Sequence, residues 1–256
     1  METDPEQLAA EWSRQLSGAS PDAILRWAID RFGEGLCVAS SFGQDGLVIL
    51  DLARRLKPAM PVLFLETGYH FPETLDFRDQ LKSEWGLNVV DVRPELTVPE
   101  QDAKYGFELF ARDPDACCAM RKVAPLDRAL RGRKAWISGL RRDQHPGRAA
   151  TPIVQWQQLS EGGIFKVHPL MEWSRAEVEQ YGRAHNFPRH PLWDNGYPSV
   201  GCAPCTRAVR PGGTEREGRW AATGKTECGI HVTGVRPPVP TAMASSEPGE
   251  TSRNAA

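Results

Sequence analysis

The sequence predicts an α/β protein with a doubly wound, mostly parallel sheet. Short apolar runs typical of buried strands alternate with longer stretches of helical periodicity, and such alternation favours parallel strands joined by helices. The chain has 256 residues, 40% hydrophobic and 25% charged, which is enough to bury one large core. The predicted strands are residues 36–39, 61–65, 88–92, 135–139 and 164–169.

Helix start and stop signals flank these strands. Asp4 with Pro5 predicts a first helix through Gln15, and Ser20 with Pro21 a second through Phe32. Ser174 and Glu177 form a capping-box pattern before a helix that ends near residue 185. The remaining predictions are helices at 46–56 and 72–85, a helix or mobile connection at 94–115, and a hairpin or loop at 150–163.

Charge and composition narrow the classes of partner. A formal net charge of −2 gives no bulk attraction to nucleic acid or an anionic membrane, so an anion site must be built from local cations. No apolar run approaches the roughly 20 residues that span a bilayer, and the acidic start differs from a secretory signal. Six cysteines without such a signal favour a reducing compartment, and we expect the cytoplasm. Residues 235–256 have the composition of a disordered tail.

The cysteines are the most informative residues. Cys202 and Cys205 form a C-x-x-C pair, which alone is compatible with a redox dithiol or half of a zinc site. The adjacent Cys117 and Cys118 suit zinc poorly, because zinc ligands are usually spaced by two to four residues, and the same pair could form a strained vicinal disulfide. Together the four thiols could hold a cubane iron–sulfur cluster, which needs one cysteine per iron.

Several polar or small residues follow the predicted strands. The turn from Ser40 to Asp45 leads from a strand into a helix, where backbone N–H groups can bind phosphate, although an ordinary turn is equally compatible with it. Three arginines, Arg141, Arg142 and Arg148, follow the fourth strand and suit phosphate or sulfate. Because the carboxyl ends of parallel strands share one edge, we expect a ligand crevice there.

Two further groups of residues suggest reactive chemistry. Arg121 and Lys122 follow the cysteine pair directly, where they could stabilise thiolate-ligated iron or bind an anionic substrate. Cys228 lies beyond an arginine-rich stretch, near Lys225 and His231. It has the features of an activated thiolate, but a spare exposed cysteine has the same local pattern.

Taken together, these motifs resemble the assimilatory adenylyl-sulfate reductases of bacteria. The resemblance covers about residues 35–232 and rests on Ser41-Phe42-Gly43, on the two cysteine pairs with their neighbours, and on Glu227-Cys228-Gly229-Ile230-His231 in this order. It departs from the family pattern after Arg219-Trp220, where Ala221-Ala222-Thr223-Gly224 replaces further aromatic or acidic residues. These residues lie between Arg219-Trp220 and Cys228, so the departure concerns the geometry with which the segment carrying Cys228 closes over the site.

The resemblance implies an adenine-nucleotide alpha-hydrolase-like fold of the pyrophosphatase-loop type with a mobile, cysteine-bearing C-terminal segment. The implied division is N-terminal helices at 1–33, a nucleotide-binding and iron–sulfur domain at 34–210, and a catalytic segment at 211–234. The implied catalytic residues are Cys228 as nucleophile and Lys122, and a 4Fe-4S cluster, one per subunit, is implied on the four paired cysteines. The implied substrate-binding residues are Ser40, Ser41, Phe42, Gly43, Leu65, Arg121, Gly139, Arg148, Arg216, Arg219 and His231.

By the same resemblance, the Cys228 thiolate attacks the sulfur of adenosine 5'-phosphosulfate, AMP leaves, and thioredoxin or glutaredoxin releases sulfite from the S-sulfonate. A homo-oligomer without nucleic acid or membrane partners is expected. The nearest alternative is a reductase of the 3'-phosphorylated substrate, or of both substrates; relatives of that kind lack the four cluster cysteines. More distant are a pyrophosphatase-loop sulfurtransferase and a zinc-stabilised interaction module.

Overall fold

The computed structural model describes residues 4–221 and 223–231, so the tail predicted at 235–256 lies outside the described residues. Its strands are β1 (Leu36–Ala39), β2 (Pro61–Leu65), β3 (Asn88–Val92), β4 (Ala135–Ile137), β5 (Val154–Gln158) and β6 (Gly163–Val167). Its helices are α1 (Pro5–Gln15), α2 (Pro21–Phe32), α3 (Gln44–Leu56), α4 (Pro72–Glu84), α5 (Val98–Tyr105), α6 (Leu109–Arg112), α7 (Pro114–Cys118), α8 (Ala124–Leu130) and α9 (Arg175–Ala184).

The six strands form one sheet in the order β3-β2-β1-β4-β6-β5. Neighbouring strands are parallel, except that β5 runs antiparallel to β6. From β1 the chain adds β2 and β3 on one side, and it then returns to place β4 on the other side. The order therefore reverses between β1 and β4, and in open α/β sheets ligands bind at such a switch point.

The alternation of side chains along the strands explains why the sheet is covered on both faces. In β1, Leu36 and Val38 pack into one apolar core, whereas Cys37 packs into a second core on the opposite face. The strand β4 behaves in the same way, with Ile137 in the first core and Trp136 in the second. Successive strand residues point to opposite faces, so a strand that is apolar at every position is buried on both.

Local signals fix the helix starts. The side chain of Asp4 accepts a hydrogen bond from Glu6 N–H before α1, and that of Ser20 accepts one from Ala23 N–H before α2. The capping box at α9 is present as predicted, with Ser174 and Glu177 bonded reciprocally. The N-terminal helices share the larger core with the sheet.

The structure refines three predictions. Residues 94–115 contain the short helices α5 and α6, and residues 154–158 form the edge strand of a hairpin with β6. The fourth strand ends at Ile137, two residues earlier than predicted. The helical stretch after the cysteine pair contains a π-helical turn at Ala119–Val123, a feature that often marks functional sites. In the described residues, no helix is long and apolar enough to cross a membrane.

Candidate active site

A cavity of about 230 Å³ opens at the carboxyl edge of the sheet, at the switch point between β1 and β4. Its walls come from the turn after β1, the ends of β2 and β4, and residues 211–231, which we call the C-terminal segment. We call this cavity the crevice. The candidate residues on its wall are Ser40, Ser41, Gly43, Leu65, Lys122, Gly139, Arg148, Arg216, Arg219, Cys228 and His231.

The turn after β1 is held in a shape that favours anion binding. Ser40 N–H donates to the carbonyl of Leu63, and Ser40 Oγ accepts a hydrogen bond from Phe42 N–H at 3.1 Å. Phe42 adopts a left-handed backbone conformation with φ of 58°, and Gly43 is the N-cap residue before α3. The N-terminus of this 13-residue helix lies at the crevice, where its backbone N–H groups and dipole favour negative charge.

Close packing at the end of β4 brings backbone to the opposite side of the crevice. A Cβ atom on Gly139 would lie 3.1 Å from the backbone carbon of Asp45, so a larger residue would displace the turn. Leu65 and Gly139 both line the crevice and can offer backbone groups to a base or ribose. These contacts define a slot between the ends of β1, β2 and β4.

Arginines of the crevice are held by one carboxylate of the C-terminal segment. Glu227 accepts from Arg148 Nε at 2.6 Å and from Arg216 Nη2 at 3.2 Å, and all three side chains are largely buried. Burial lowers the pKa of Arg216 to about 10, with Arg148 contributing. Arg219 lies over the indole ring of Trp220, with its guanidinium carbon 4.7 Å from the ring centroid. The crevice is therefore strongly cationic on this side.

Cys228 occupies the wall between these arginines and the paired cysteines. It is only 7% exposed, and its backbone N–H donates to Glu227 Oε1 at 2.8 Å. Side-chain hydrogen bonding with Cys118 and the charges of Lys122 and Arg219 lower the pKa of Cys228 despite its burial. Burial lowers the pKa of Lys122, but the charges of Cys202, Cys228 and Cys118 outweigh that effect and raise it.

The four paired cysteines line one small second cavity, which we call the cysteine pocket. All six cysteines of the chain are free thiols, and Thr67 Oγ1 lies 3.4 Å from Cys202 Sγ. Burial raises the pKa of Cys117 to about 12, with Cys202 and Cys205 contributing as like charges. Lys122 and Trp220 line both this pocket and the crevice, so the two cavities share a wall.

The donor set of the cysteine pocket fits a cubane cluster better than one metal ion. No group of three or more His, Cys, Asp or Glu side chains within residues 4–221 and 223–231 has an arrangement that would hold a metal ion. In a cubane each thiolate binds its own iron, so the four sulfurs stand farther apart than around one ion. Three buried thiols and the partly exposed Cys205, with Arg121 and Lys122 beside them, supply one thiol for each iron of such a cluster.

Two predicted substrate-binding residues lie away from the crevice wall. The ring of Phe42 is fully buried against Phe64, with ring centroids 5.7 Å apart. Arg121 lines the cysteine pocket instead, and its guanidinium donates to the carbonyls of Thr67 and Leu96 and to Gln101 Oε1. Its adjacency to Lys122 suggested a shared role, but on a helix neighbouring residues point in different directions. The expected substrate contact of Arg121 is therefore not supported, and Phe42 shapes the turn instead.

Two buried cations of the site differ from the sequence prediction: Arg141, which was expected to suit an anion, is paired within the protein, and Lys166 was not singled out. Arg141 is 1% exposed and forms ion pairs with Asp45 at 3.0 Å, Glu215 at 2.7 Å and Asp143 at 3.4 Å, which join the turn after β1 to the C-terminal segment. Lys166 lies buried in β6 beneath His231. A charged residue within an apolar strand is the one signal that could have identified Lys166.

The crevice and the cysteine pocket can be compared with known proteins. A family model described as the phosphoadenosine phosphosulfate reductase domain matches residues 35–208. A Streptomyces coelicolor protein named adenosine 5'-phosphosulfate reductase is 48% identical over 224 residues, covering 88% of this chain and 93% of the relative. A relative of the same name from Mycolicibacterium smegmatis is 44% identical over 232 residues, covering 91% and 97%.

Solved structures extend the comparison. The phosphoadenylyl-sulfate reductase of Candida auris, in a phosphate complex, aligns with a TM-score of 0.69 and 29% identity over 81% of this chain and 98% of that chain. The FMN adenylyltransferase of Candida glabrata aligns with a TM-score of 0.55 and 16% identity over 94% and 80%, which shows a shared fold alone. Residues 209–231, including Cys228, lie beyond the stretch that the family model matches.

Proposed function

Because the chain belongs to the phosphoadenosine phosphosulfate reductase family, we propose that it reduces adenosine 5'-phosphosulfate to sulfite and AMP. The observation that carries this proposal is the place of Cys228: a buried thiol among cations, on the wall of a crevice at the switch point of the sheet. Relatives named adenosine 5'-phosphosulfate reductase support the choice of the unphosphorylated substrate, since they match most of this chain at 40–48% identity.

The crevice supplies the groups that such a nucleotide needs. Backbone groups of Leu65 and Gly139 would bind adenine, and the turn at Ser40, Ser41 and Gly43 would bind the phosphosulfate through N–H groups at the start of α3. The further anion-binding residues would be Arg148, Arg216, Arg219 and His231. These cations matter because an anionic thiolate approaches an anionic sulfate group.

The first step forms a covalent adduct on Cys228. The thiolate attacks the sulfur of the sulfate group, and an Sγ–S bond forms while the bond from that sulfur to the bridging phosphate oxygen breaks. AMP leaves with the electron pair of the broken bond, and the SO₃ group remains as a cysteine S-sulfonate. Lys122 and Arg219 lie near Cys228 and would hold the negative charge of the transferred group.

The second step releases sulfite and requires a dithiol reductant. A thiolate of thioredoxin or glutaredoxin attacks Cys228 Sγ, sulfite departs with the electron pair, and a mixed disulfide remains. The second thiol of the reductant resolves that disulfide, which returns Cys228 as a thiol and leaves the reductant oxidised by two electrons. Since Cys228 is almost fully buried, we propose that the part of the C-terminal segment that carries it moves outward for this step.

A 4Fe-4S cluster, one per subunit, is proposed on Cys117, Cys118, Cys202 and Cys205. Their common pocket, the burial of all but Cys205 and the thiol-only donor set support this assignment. When bound, the cluster would supply a rigid charged group that fixes the two cysteine segments and tunes the electrostatic field at Cys228. Lys122 and Arg121 on the pocket wall would balance the negative charge of the ligating thiolates.

The remaining parts of the proposal concern organisation. The N-terminal helices would lie within residues 1–33, and 34–210 would be the domain that binds nucleotide and cluster. The protein would work as a homo-oligomer in the cytoplasm, where thiol reductants keep its cysteines reduced. No partner of nucleic acid or membrane type is proposed.

Single-turnover labelling tests the function. Anaerobically purified protein is mixed without reductant with adenosine 5'-phosphosulfate or, separately, with its 3'-phosphorylated analogue, and the adduct is located by peptide mass spectrometry. We expect a sulfonate on Cys228 from the first substrate alone, with the buried Cys37 unlabelled as an internal control. Labelling by the 3'-phosphorylated substrate would favour the activity named for the Candida auris structure. The absence of an adduct from both substrates would refute the covalent mechanism.

A further inference from the structure

The buried lysine of β6 contacts the C-terminal segment directly. Lys166 is 1% exposed, and its neighbours in the sheet are Trp136 of β4 and Gln155 of β5. Its ammonium nitrogen lies 4.6 Å from the ring centroid of Trp136. Burying an ammonium group costs free energy unless hydrogen-bond acceptors surround it. The acceptors that Lys166 contacts are therefore expected to be held in fixed positions.

Two of these acceptors lie just beyond Cys228. Lys166 Nζ donates to the carbonyl of Ile230 at 3.3 Å and contacts His231 Nδ1 at 3.0 Å. An ammonium group has only donors, so Nδ1 must be the acceptor in this contact. Burial lowers the pKa of His231 well below its usual value, and Lys166 and Arg148 add to the effect, so the imidazole is neutral. A neutral imidazole with Nδ1 as acceptor carries its proton on Nε2.

The imidazole is also oriented by its surroundings. His231 stacks on Trp136 with ring centroids 6.4 Å apart and an interplanar angle of 17°, and it lines the crevice. The backbone N–H of His231 donates to the backbone carbonyl of Cys228 at 2.9 Å. This bond closes one turn of backbone that contains both residues. Any change in the position of the ring is therefore linked to the position of the Cys228 backbone.

We propose that Lys166 is a positioning residue that fixes His231 in the Nε2–H tautomer, so that the ring presents an N–H donor to an oxyanion in the crevice. The opposite tautomer would present a lone pair at Nε2 and repel the same anion. The lysine would also hold the C-terminal segment in place through the carbonyl of Ile230. The consequence for turnover rests on the proposed function, whereas the tautomer is a property of the free protein.

The tautomer is measured by long-range ¹H–¹⁵N correlation of the histidine side chains in the ligand-free, cluster-loaded protein, with His231→Asn used to assign the signals. We expect His231 to show a protonated Nε2 and an acceptor Nδ1, and Lys166→Met to show a mixture of both tautomers. A protonated Nδ1 in the unsubstituted protein, or an unchanged spectrum in Lys166→Met, would overturn the proposal. Lys134→Met, at an exposed position before β4, is the matched control.

A double-mutant cycle separates the tautomer effect from packing. Glutamine at position 231 offers an N–H donor without a tautomer choice. Loss of a whole oxyanion donor costs about 100- to 1000-fold, and a tautomer mixture keeps part of that donor. Lys166→Met should therefore slow sulfonate formation by about 10- to 100-fold in the His231 background and by less than about threefold in His231→Gln. Equal losses in both backgrounds would mean that Lys166 acts through packing alone and would refute the proposal.

The two tests fail independently. If the unsubstituted protein forms no sulfonate, the proposed function fails, while the tautomer measurement still decides the role of Lys166. If Lys166→Met or His231→Gln is unstable or forms no adduct, the spectrum of the unsubstituted protein remains decisive. Lys166→Arg retains donors at this position and should restore the Nε2–H tautomer in part; a spectrum like that of Lys166→Met would count against the proposal.

Discussion

Glu227 should control how firmly Cys228 is held in the site. Its carboxylate accepts hydrogen bonds from Arg148, Arg216 and the backbone N–H of Cys228, all in a largely buried setting. Burial raises the pKa of Glu227, but the bonds from Arg148 and the charge of Arg216 outweigh it, so the pKa is lowered and the group is ionised at neutral pH. The substitution Glu227→Gln keeps the shape and removes the charge.

The size of the effect follows from the hydrogen bonds. Glutamine has one acceptor oxygen, so its NH₂ group must face either an arginine donor or the Cys228 N–H. A hydrogen bond to a charged group contributes about 1.5–3 kcal/mol, and a buried charge that loses its partner costs about 3–5 kcal/mol. We therefore expect Glu227→Gln to weaken docking of the C-terminal segment by about 3 kcal/mol, which corresponds to a more than hundredfold larger undocked population.

Alkylation of Cys228 measures this population. The variant and the unsubstituted protein are treated with iodoacetamide, and the modified peptide is quantified by mass spectrometry over time, because local opening exposes the thiol. Glu217→Gln, at an exposed position of the same segment, should leave the rate within about twofold, as expected for a surface change. AMP supplies negative charge beside Arg148 and Arg216, so it should narrow the difference between Glu227→Gln and the unsubstituted protein. Equal alkylation rates without AMP would refute the reasoning.

Three further predictions concern the cysteine pocket and the buried charges. Cys202→Ser should lose iron–sulfur absorbance and at least about 2 kcal/mol of stability, since metal binding is coupled to folding. Arg121→Met should lower the free energy of unfolding by about 2–4 kcal/mol, because it leaves buried acceptors unpaired, while AMP affinity measured by calorimetry stays within about twofold. Burial raises the pKa of Asp45 to about 7, above its unfolded value of about 3.9. The stability from this group is full below about pH 4 and is lost as pH rises through 7, so Asp45→Asn should flatten that dependence in urea titrations.

Much of the fold could be predicted because each strand carries a local signal. The run at 61–65 is apolar, the run at 88–92 has three valines, and the structure has strands with these bounds. The helix caps at Ser20 and Ser174 depend on residues three apart in sequence, so they too are visible locally. The strand β5 has a weaker local signal, because three of its five residues are glutamines.

The contacts of the site could be predicted only in part, because they join segments that are distant in sequence. Arg121 and Lys122 are neighbours, yet successive helix residues diverge by about 100°, so one faces the loop before α5 and the other faces the crevice. No local pattern says which residue takes which direction. Glu227 is a similar case, since it reads as an ordinary surface carboxylate until the fold brings Arg148 beside it.

Lys166 shows where sequence reasoning could go further. It stands between Phe165 and Val167 in a strand that was predicted from its apolar residues, and a cation at such a position must be buried if the strand is central. The sequence order gives no information about which strand is central, because β6 is the last strand of the described residues yet lies between β4 and β5 in the sheet. A buried charge needs acceptors around it, and these can come from another segment of the chain. In this chain that segment carries the proposed nucleophile, so the charge identifies the surface on which the segment docks.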